Sequence, residues 1–185
     1  MIIPGRVALS RKVITNIRST VHQVQPCGID LTLKRVLTWA SSGTIDFSNT
    51  HRKTAQTVEI PYQTSQQQAS TTSPWNKTTE ITTPGEFIHL ATGSYLIEFN
   101  EQVDMPLDLM GQILVRSSLF RSGALVSAGV MDLGYKGPVG AMLQVVNPHG
   151  LRLMRDAKCA QMVFHEMSEP VEEGYSGVYQ GRAFA

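Results

Sequence analysis

The run EFIHLATGSYLIEFNEQVDMPLDLMGQILV, residues 86–115, sets apolar segments of strand length between turn residues. Glu86–Leu90, residues 95–100 and residues 111–115 are separated by Thr92-Gly93 and by Pro106. The same pattern continues through residues 141–146 and 160–166, punctuated by Gly123, Gly137-Pro138 and Asn147-Pro148-His149-Gly150. Runs this short suit strands better than packed helices, and many of them at close spacing predict a sandwich or barrel. The expected class is all-β.

Outward from this stretch the pattern changes. Residues 46–83 turn polar, with Ser65-Gln66-Gln67-Gln68 and Ser70-Thr71-Thr72-Ser73-Pro74 at their centre. They read as a long surface excursion, able to carry a β-hairpin, and not as a linker between domains. Near the start, Leu9, Val13 and Ile17 recur every four residues beside Ile14, while Arg11, Lys12 and Arg18 face elsewhere. That spacing predicts one short amphipathic helix after Pro4, the single convincing helix of the chain. With 185 residues and no internal repeat, residues 1–185 form a single expected domain, with a flexible tail over about 172–185.

Composition narrows the function classes. The net charge of +1 offers no basic excess for a nucleic-acid polymer or an anionic membrane, so any phosphate chemistry needs a local site. No apolar run is long enough for a signal peptide or a membrane span, and a cytoplasmic location is expected. Cys27 and Cys159 fit no C-x-x-C pattern and read as two reduced, mostly buried thiols. The five histidines are scattered, with no H-x-E partnered to P-C-x-x-C, which excludes a zinc-dependent deaminase. A G-x-x-x-x-G-K-[ST] loop, a G-x-G-x-x-G turn and a G-x-S-x-G elbow are also absent.

Five segments carry residues suited to chemistry. Arg116-Ser117-Ser118, at the end of the 111–115 run, offers a guanidinium fork followed by two hydroxyl donors. That set suits phosphate oxygens, although such a turn is also common as solvated surface. Residues 127–137, Ser-Ala-Gly-Val-Met-Asp-Leu-Gly-Tyr-Lys-Gly, read as a tight β-hairpin whose backbone a flat ligand can approach. Within it Asp132 either orients a water or stands as a turn carboxylate, and Tyr135 would pack against a sugar. Asp30, in Gln25-Pro26-Cys27-Gly28-Ile29-Asp30-Leu31, suits a hydrated magnesium or a turn. Gln161 suits a phosphate contact or a half-buried strand position. The Gly-punctuated ending Gly174-Tyr175-Ser176-Gly177-Val178-Tyr179-Gln180-Gly181-Arg182 is either a lid or a frayed tail.

In their order and approximate spacing these segments resemble the five motifs of trimeric dUTPases and dCTP deaminases, over nearly the whole chain. Met1-Ile2-Ile3-Pro4, Val24-Gln25-Pro26-Cys27-Gly28-Ile29-Asp30-Leu31, Pro84-Gly85-Glu86-Phe87-Ile88, Arg116-Ser117-Ser118-Leu119-Phe120-Arg121 and Val178-Tyr179-Gln180-Gly181 are similar to the deaminase branch. The resemblance implies a distorted jelly-roll β-barrel, a homotrimer with sites between subunits, a deoxynucleoside triphosphate substrate (dUTP or dCTP), and Mg2+. Residue by residue, it implies phosphates held by Arg116, Ser117, Ser118, Gln161, Tyr179, Gln180 and Arg182. It implies base and sugar met by Gly129, Val130, Met131, Tyr135 and Gln144. Asp132 would align the attacking water, and Asp30 would support magnesium through water.

The two activities of this superfamily part at one position. The deaminases that the chain resembles carry a Glu in the strand after the hairpin, where it shuttles protons during replacement of the cytosine amino group. Here the run is Leu143-Gln144-Val145-Val146-Asn147. An amide neither takes nor gives a proton near neutral pH, and losing such a shuttle costs a factor of ~10²–10⁴. The expected activity is therefore dUTP diphosphatase, with magnesium-assisted attack of water on the α-phosphorus giving dUMP and pyrophosphate. The alternatives are dCTP deamination, alone or combined with that activity, and non-catalytic binding of a dNTP by a regulatory protein.

Overall fold

The computed structural model describes residues 1–64 and 85–181; the Gln/Ser/Thr-rich centre of the polar excursion and Arg182 lie outside the described residues. The chain opens with β1 (Ile2–Ile3), α1 (Gly5–Ser10), β2 (Ile14–Thr15), α2 (Thr20–Gln23), β3 (Val24–Gln25) and β4 (Gly28–Trp39). Next come β5 (Thr57–Ile60), β6 (Gln63–Thr64), β7 (Glu86–Leu90), β8 (Gly93–Asp104) and β9 (Leu109–Val115). The remainder is α3 (Ser117–Arg121), β10 (Ala124–Ser127), β11 (Lys136–Val145), β12 (Leu151–Met154) and β13 (Lys158–Glu166).

Every pairing is antiparallel. The main sheet runs β1-β13-β4-β8-β11-β10, with β9 on the other side of β13, and β12-β7-β6 forms a second sheet. Because β10 comes back alongside β9, the sheet curls onto itself as a distorted jelly-roll barrel. The all-β expectation holds. Alternation explains the core: along β11, Val139, Ala141, Leu143 and Val145 point inward while Met142 and Gln144 are exposed. Phe99, Leu143 and Phe164 are each at most 1% exposed. Burying a side chain of this kind contributes about 1.5–3 kcal/mol.

Three local expectations change. The first helix ends at Ser10, because Lys12 turns left-handed (φ 57°) and closes a Schellman cap. Its amide donates to the Leu9 carbonyl (3.0 Å), and that of Val13 donates to Ala8 (3.1 Å). Val13 and Ile14 are then buried by the sheet, not by a longer helix. Two further short helices, α2 and α3, accompany α1, so it is not the single helix expected. The excursion is also partly sheet, since β5 pairs with β4 and β6 with β7. The 40–56 loop, which leads into the excursion and forms its first part, is built. Thr44 and Lys53 exchange backbone hydrogen bonds (2.8 and 3.0 Å), and the His51 amide donates to Asp46 Oδ2 (3.0 Å), lowering the Asp46 pKa.

Candidate functional site

Strand register assembles the first cluster. Asp30 on β4 lies opposite Gln161 on β13, so the two side chains share one face, and Arg116 follows the last residue of β9 on the far side of β13. Asp30 is almost wholly buried yet ionically matched. Arg116 Nε is 3.2 Å from its Oδ1, and Lys158 Nζ is 3.2 Å from its Oδ2. Gln25 Nε2 also donates to Oδ2 (3.4 Å). Arg116 donates from Nη1 to the Lys158 carbonyl (3.1 Å), and Lys158 donates to that of His22 (3.0 Å). Two cations thus face one carboxylate, leaving a net positive charge beside Gln161.

A buried network supports this cluster from below. Gln23 Nε2 donates to the Asp30 carbonyl (2.9 Å) and to Glu101 Oε1 (2.6 Å). Glu101, fully buried, also accepts from the Thr32 amide (2.8 Å) and hydroxyl (2.6 Å). Satisfied in this way, a buried carboxylate rigidifies what surrounds it. Ser117 and Ser118 open α3 on the surface, where Arg116 stands as N-cap and buried Leu119 anchors the turn. Lys158, three positions before Gln161, joins the cluster although no motif in the sequence marks it. Both Asp30 oxygens are engaged, by Arg116 on one side and by Lys158 and Gln25 on the other, so the carboxylate holds these two cations in place.

The second assembly is a cleft of about 630 Å³. Gly129, Val130, Met131, Asp132, Tyr135 and Tyr179 line it together with Trp39, Leu96, Gly140, Tyr175 and Val178, making its walls chiefly apolar and aromatic. Asp132 is exposed there and, among the described residues, is the only carboxylate of the lining. The segment 128–135 is not a tight hairpin: β10 pairs with β11 only as far as Ser127 opposite Met142. Met131 instead exchanges two backbone hydrogen bonds with Gly111 on β9 (2.9 and 3.0 Å). A methyl built on Gly129 meets nothing within 4 Å, so the space over that backbone is open.

Tyr135 forms the floor more than a contact for hydrogen bonding. Its hydroxyl donates to the Pro138 carbonyl (2.8 Å), and its ring meets Tyr175 edge-on at 5.6 Å. Burial raises its phenol pKa.

The tail is docked, not frayed, as far as Gly181. The Tyr175 amide donates to Leu133 (2.8 Å) and the Gly181 amide to Lys136 (2.9 Å). The Gln180 side chain accepts from the Lys136 amide (2.9 Å) and donates to the Gly134 carbonyl (2.8 Å). Gln180 is therefore a clip to the chain's own backbone.

Gln144 sits on β11 opposite Ser94 and Leu125, on the face that Gly140 presents to the cleft but ~13 Å further along the strand. It does not line the cleft. Arg116 lies five residues beyond Gly111, ~16 Å along β9, so the cationic cluster and the cleft are separate places on one chain. Beside the cluster, burial pushes the Cys159 thiol up to about 12, whereas Cys27 is exposed and not buried as expected. Among the described residues no helix is long and apolar enough to cross a membrane.

Residues 3–167 match the family model described as dCTP deaminase-like. The chain belongs to this dCTP deaminase-like family. Similar proteins include the probable deoxyuridine 5'-triphosphate nucleotidohydrolase of Methanosarcina mazei, 38% identical over 90% of this chain and 86% of the relative. The deoxyuridine 5'-triphosphate nucleotidohydrolase of Methanocaldococcus jannaschii is 33% identical, over 87% of this chain and 89% of its own. Among solved structures, the 2'-deoxycytidine 5'-triphosphate deaminase of Agrobacterium tumefaciens superposes on 90% of this chain with a TM-score of 0.57 at 17% identity, a likeness of fold. The present chain spans about half the length of that deaminase. In this dCTP deaminase-like chain, position 144 carries an amide, and the carboxylate exposed in the cleft is Asp132.

Proposed function

We propose that the chain hydrolyses dUTP to dUMP and pyrophosphate. The observation that carries this reading is the pairing of an exposed cleft carboxylate, Asp132, the one carboxylate of the lining among the described residues, with an amide at position 144, where deamination would need an acid. The names of the archaeal relatives point the same way. In this reading the base enters between the apolar walls and meets the backbone of Gly129, Val130 and Met131. Tyr135 closes the floor under the deoxyribose. Asp132 accepts a hydrogen bond from a water, aims it at the α-phosphorus and takes its proton. The bond from the α-phosphorus to the bridging oxygen breaks, and pyrophosphate leaves.

Arg116, Ser117, Ser118 and Gln161 hold the phosphates, joined by Lys158, with Tyr179 at the rim and Asp30 as a positioning residue for the two cations. The ~16 Å between this cluster and the same chain's cleft favours a site in which a neighbouring copy supplies the cluster to each cleft, as the homotrimer implied by the family resemblance would allow. No group of three or more His, Cys, Asp or Glu able to hold a metal occurs among the described residues. This donor set fits a magnesium carried on the triphosphate, with Asp132 as the adjacent carboxylate, and not a resident ion. When bound, it would neutralise phosphate charge.

Incubating the pure protein with dUTP or dCTP and magnesium, and following pyrophosphate and ammonia, tests the reading. Pyrophosphate from dUTP, abolished by EDTA, is expected. Ammonia from dCTP would overturn it, and tight dUTP binding with neither product would assign the chain to non-catalytic binding.

A further inference from the structure

We propose that Arg52 is a substrate-positioning residue that holds Tyr179, and with it the C-terminal segment, across the mouth of the cleft; this rests on the dUTP diphosphatase reading. Two segments far apart in sequence contribute to the same cleft. Thr54 and Ala55 come from the 40–56 loop, and Val178 and Tyr179 from the tail. Each is anchored on its own side. The loop is tied by the Thr44–Lys53 backbone pair, by the Ala40 amide donating to Gln56 (2.8 Å) and by the Gln56 amide donating to Ser41 Oγ (2.9 Å). The tail is tied by the Gln180 clip.

Between the two anchors, the Arg52 guanidinium lies 5.7 Å from the centroid of the Tyr179 ring, within cation–π range. Tyr179 is half exposed, so packing alone does not fix its ring. Among the described residues Arg52 has no carboxylate partner, in contrast to Arg11, Arg18, Arg35, Arg116 and Arg155. Within the described residues its charge therefore has no ion-pair partner, beside a cleft that in this reading takes a polyanion. A guanidinium attracted to a ring by its charge does not use its N–H donors on that ring, so it can hold Tyr179 and direct donors at an entering phosphate together. The polar segment that the family resemblance leaves without a role thereby acquires one: its first part is a wall and clasp of the nucleotide cleft.

The test is a double-mutant cycle on full-length protein. Binding of the α,β-imido analogue of dUTP is measured by calorimetry for the parent, Arg52→Ala, Tyr179→Leu and the pair, with kcat and KM for dUTP alongside. Each single change is expected to weaken binding by a factor of about three or more and to raise KM with kcat within about twofold. The pair should lose no more than the worse single, because both remove one contact. Losses that multiply, or unchanged binding in Arg52→Ala, would overturn the clasp. Failure of the parent to bind the analogue would instead overturn the dUTP reading on which it rests.

Discussion

Asp132→Asn is expected to slow pyrophosphate release from dUTP by a factor of ~10²–10⁴, the usual contribution of a positioned acid–base group. The asparagine amide keeps the size of the carboxyl and still accepts one hydrogen bond, so a water can remain in place. It no longer takes the proton that the water must lose as it bonds to phosphorus. Asp132 is exposed at the cleft and forms none of the ion pairs of the described residues, so its replacement should leave the melting temperature unaltered. Binding of a non-hydrolysable dUTP analogue should change by less than about threefold. Undiminished turnover would remove Asp132 from this role.

Arg116→Met is expected to strike binding and stability together. The guanidinium gives up its fork on the phosphates, and hydrogen bonds to charged groups contribute about 1.5–3 kcal/mol each, so KM for dUTP should rise by ~10-fold or more. The substitution also leaves Asp30, only 2% exposed in its side chain, with Lys158 and Gln25 as its remaining side-chain partners. Breaking a buried pair costs roughly 3–5 kcal/mol, and because Lys158 remains, the lower end is expected. For a chain of this size that corresponds to a fall of roughly 6–12 °C in melting temperature. Arg116→Lys should recover most of the stability but little of the KM, since an ammonium restores charge without the planar fork. An unchanged KM in both variants would place the phosphates elsewhere.

Much of this architecture was legible because side-chain alternation is local. The residues from Glu86 onward declare their strands through apolar positions two apart, and β7 runs as read, from Glu86 to Leu90. β4 was less legible. Ile29, Leu31 and Leu33 alternate with Asp30 and Thr32, but the latter two are buried as well, and a register shift between Leu33 and Arg35 breaks the pattern. The four-residue spacing of Leu9, Val13 and Ile17 misled because a left-handed Lys12 ends the helix, a choice of φ that spacing does not encode. In five residues, Ser117–Arg121 offer too little periodicity to announce a helix.

For the site, motif order picked out Arg116, Asp132, Gln161 and the 129–131 backbone, residues that the fold gathers into two assemblies. Lys158 escaped because its significance is its distance to Asp30, 128 positions away in sequence, and Arg52 because a loop–tail contact leaves no local signature. For Gln180 the family position implies a phosphate contact, whereas its clip to the Lys136 amide and the Gly134 carbonyl is a long-range contact that motif order does not reveal.

The central claim is that this chain makes its new bond at the α-phosphorus and not at the base. Hydrolysis of dUTP in water enriched in oxygen-18, followed by mass spectrometry of both products, tests it most directly. One labelled oxygen in dUMP and none in pyrophosphate is the predicted result; label in the pyrophosphate, or in neither product, would contradict it.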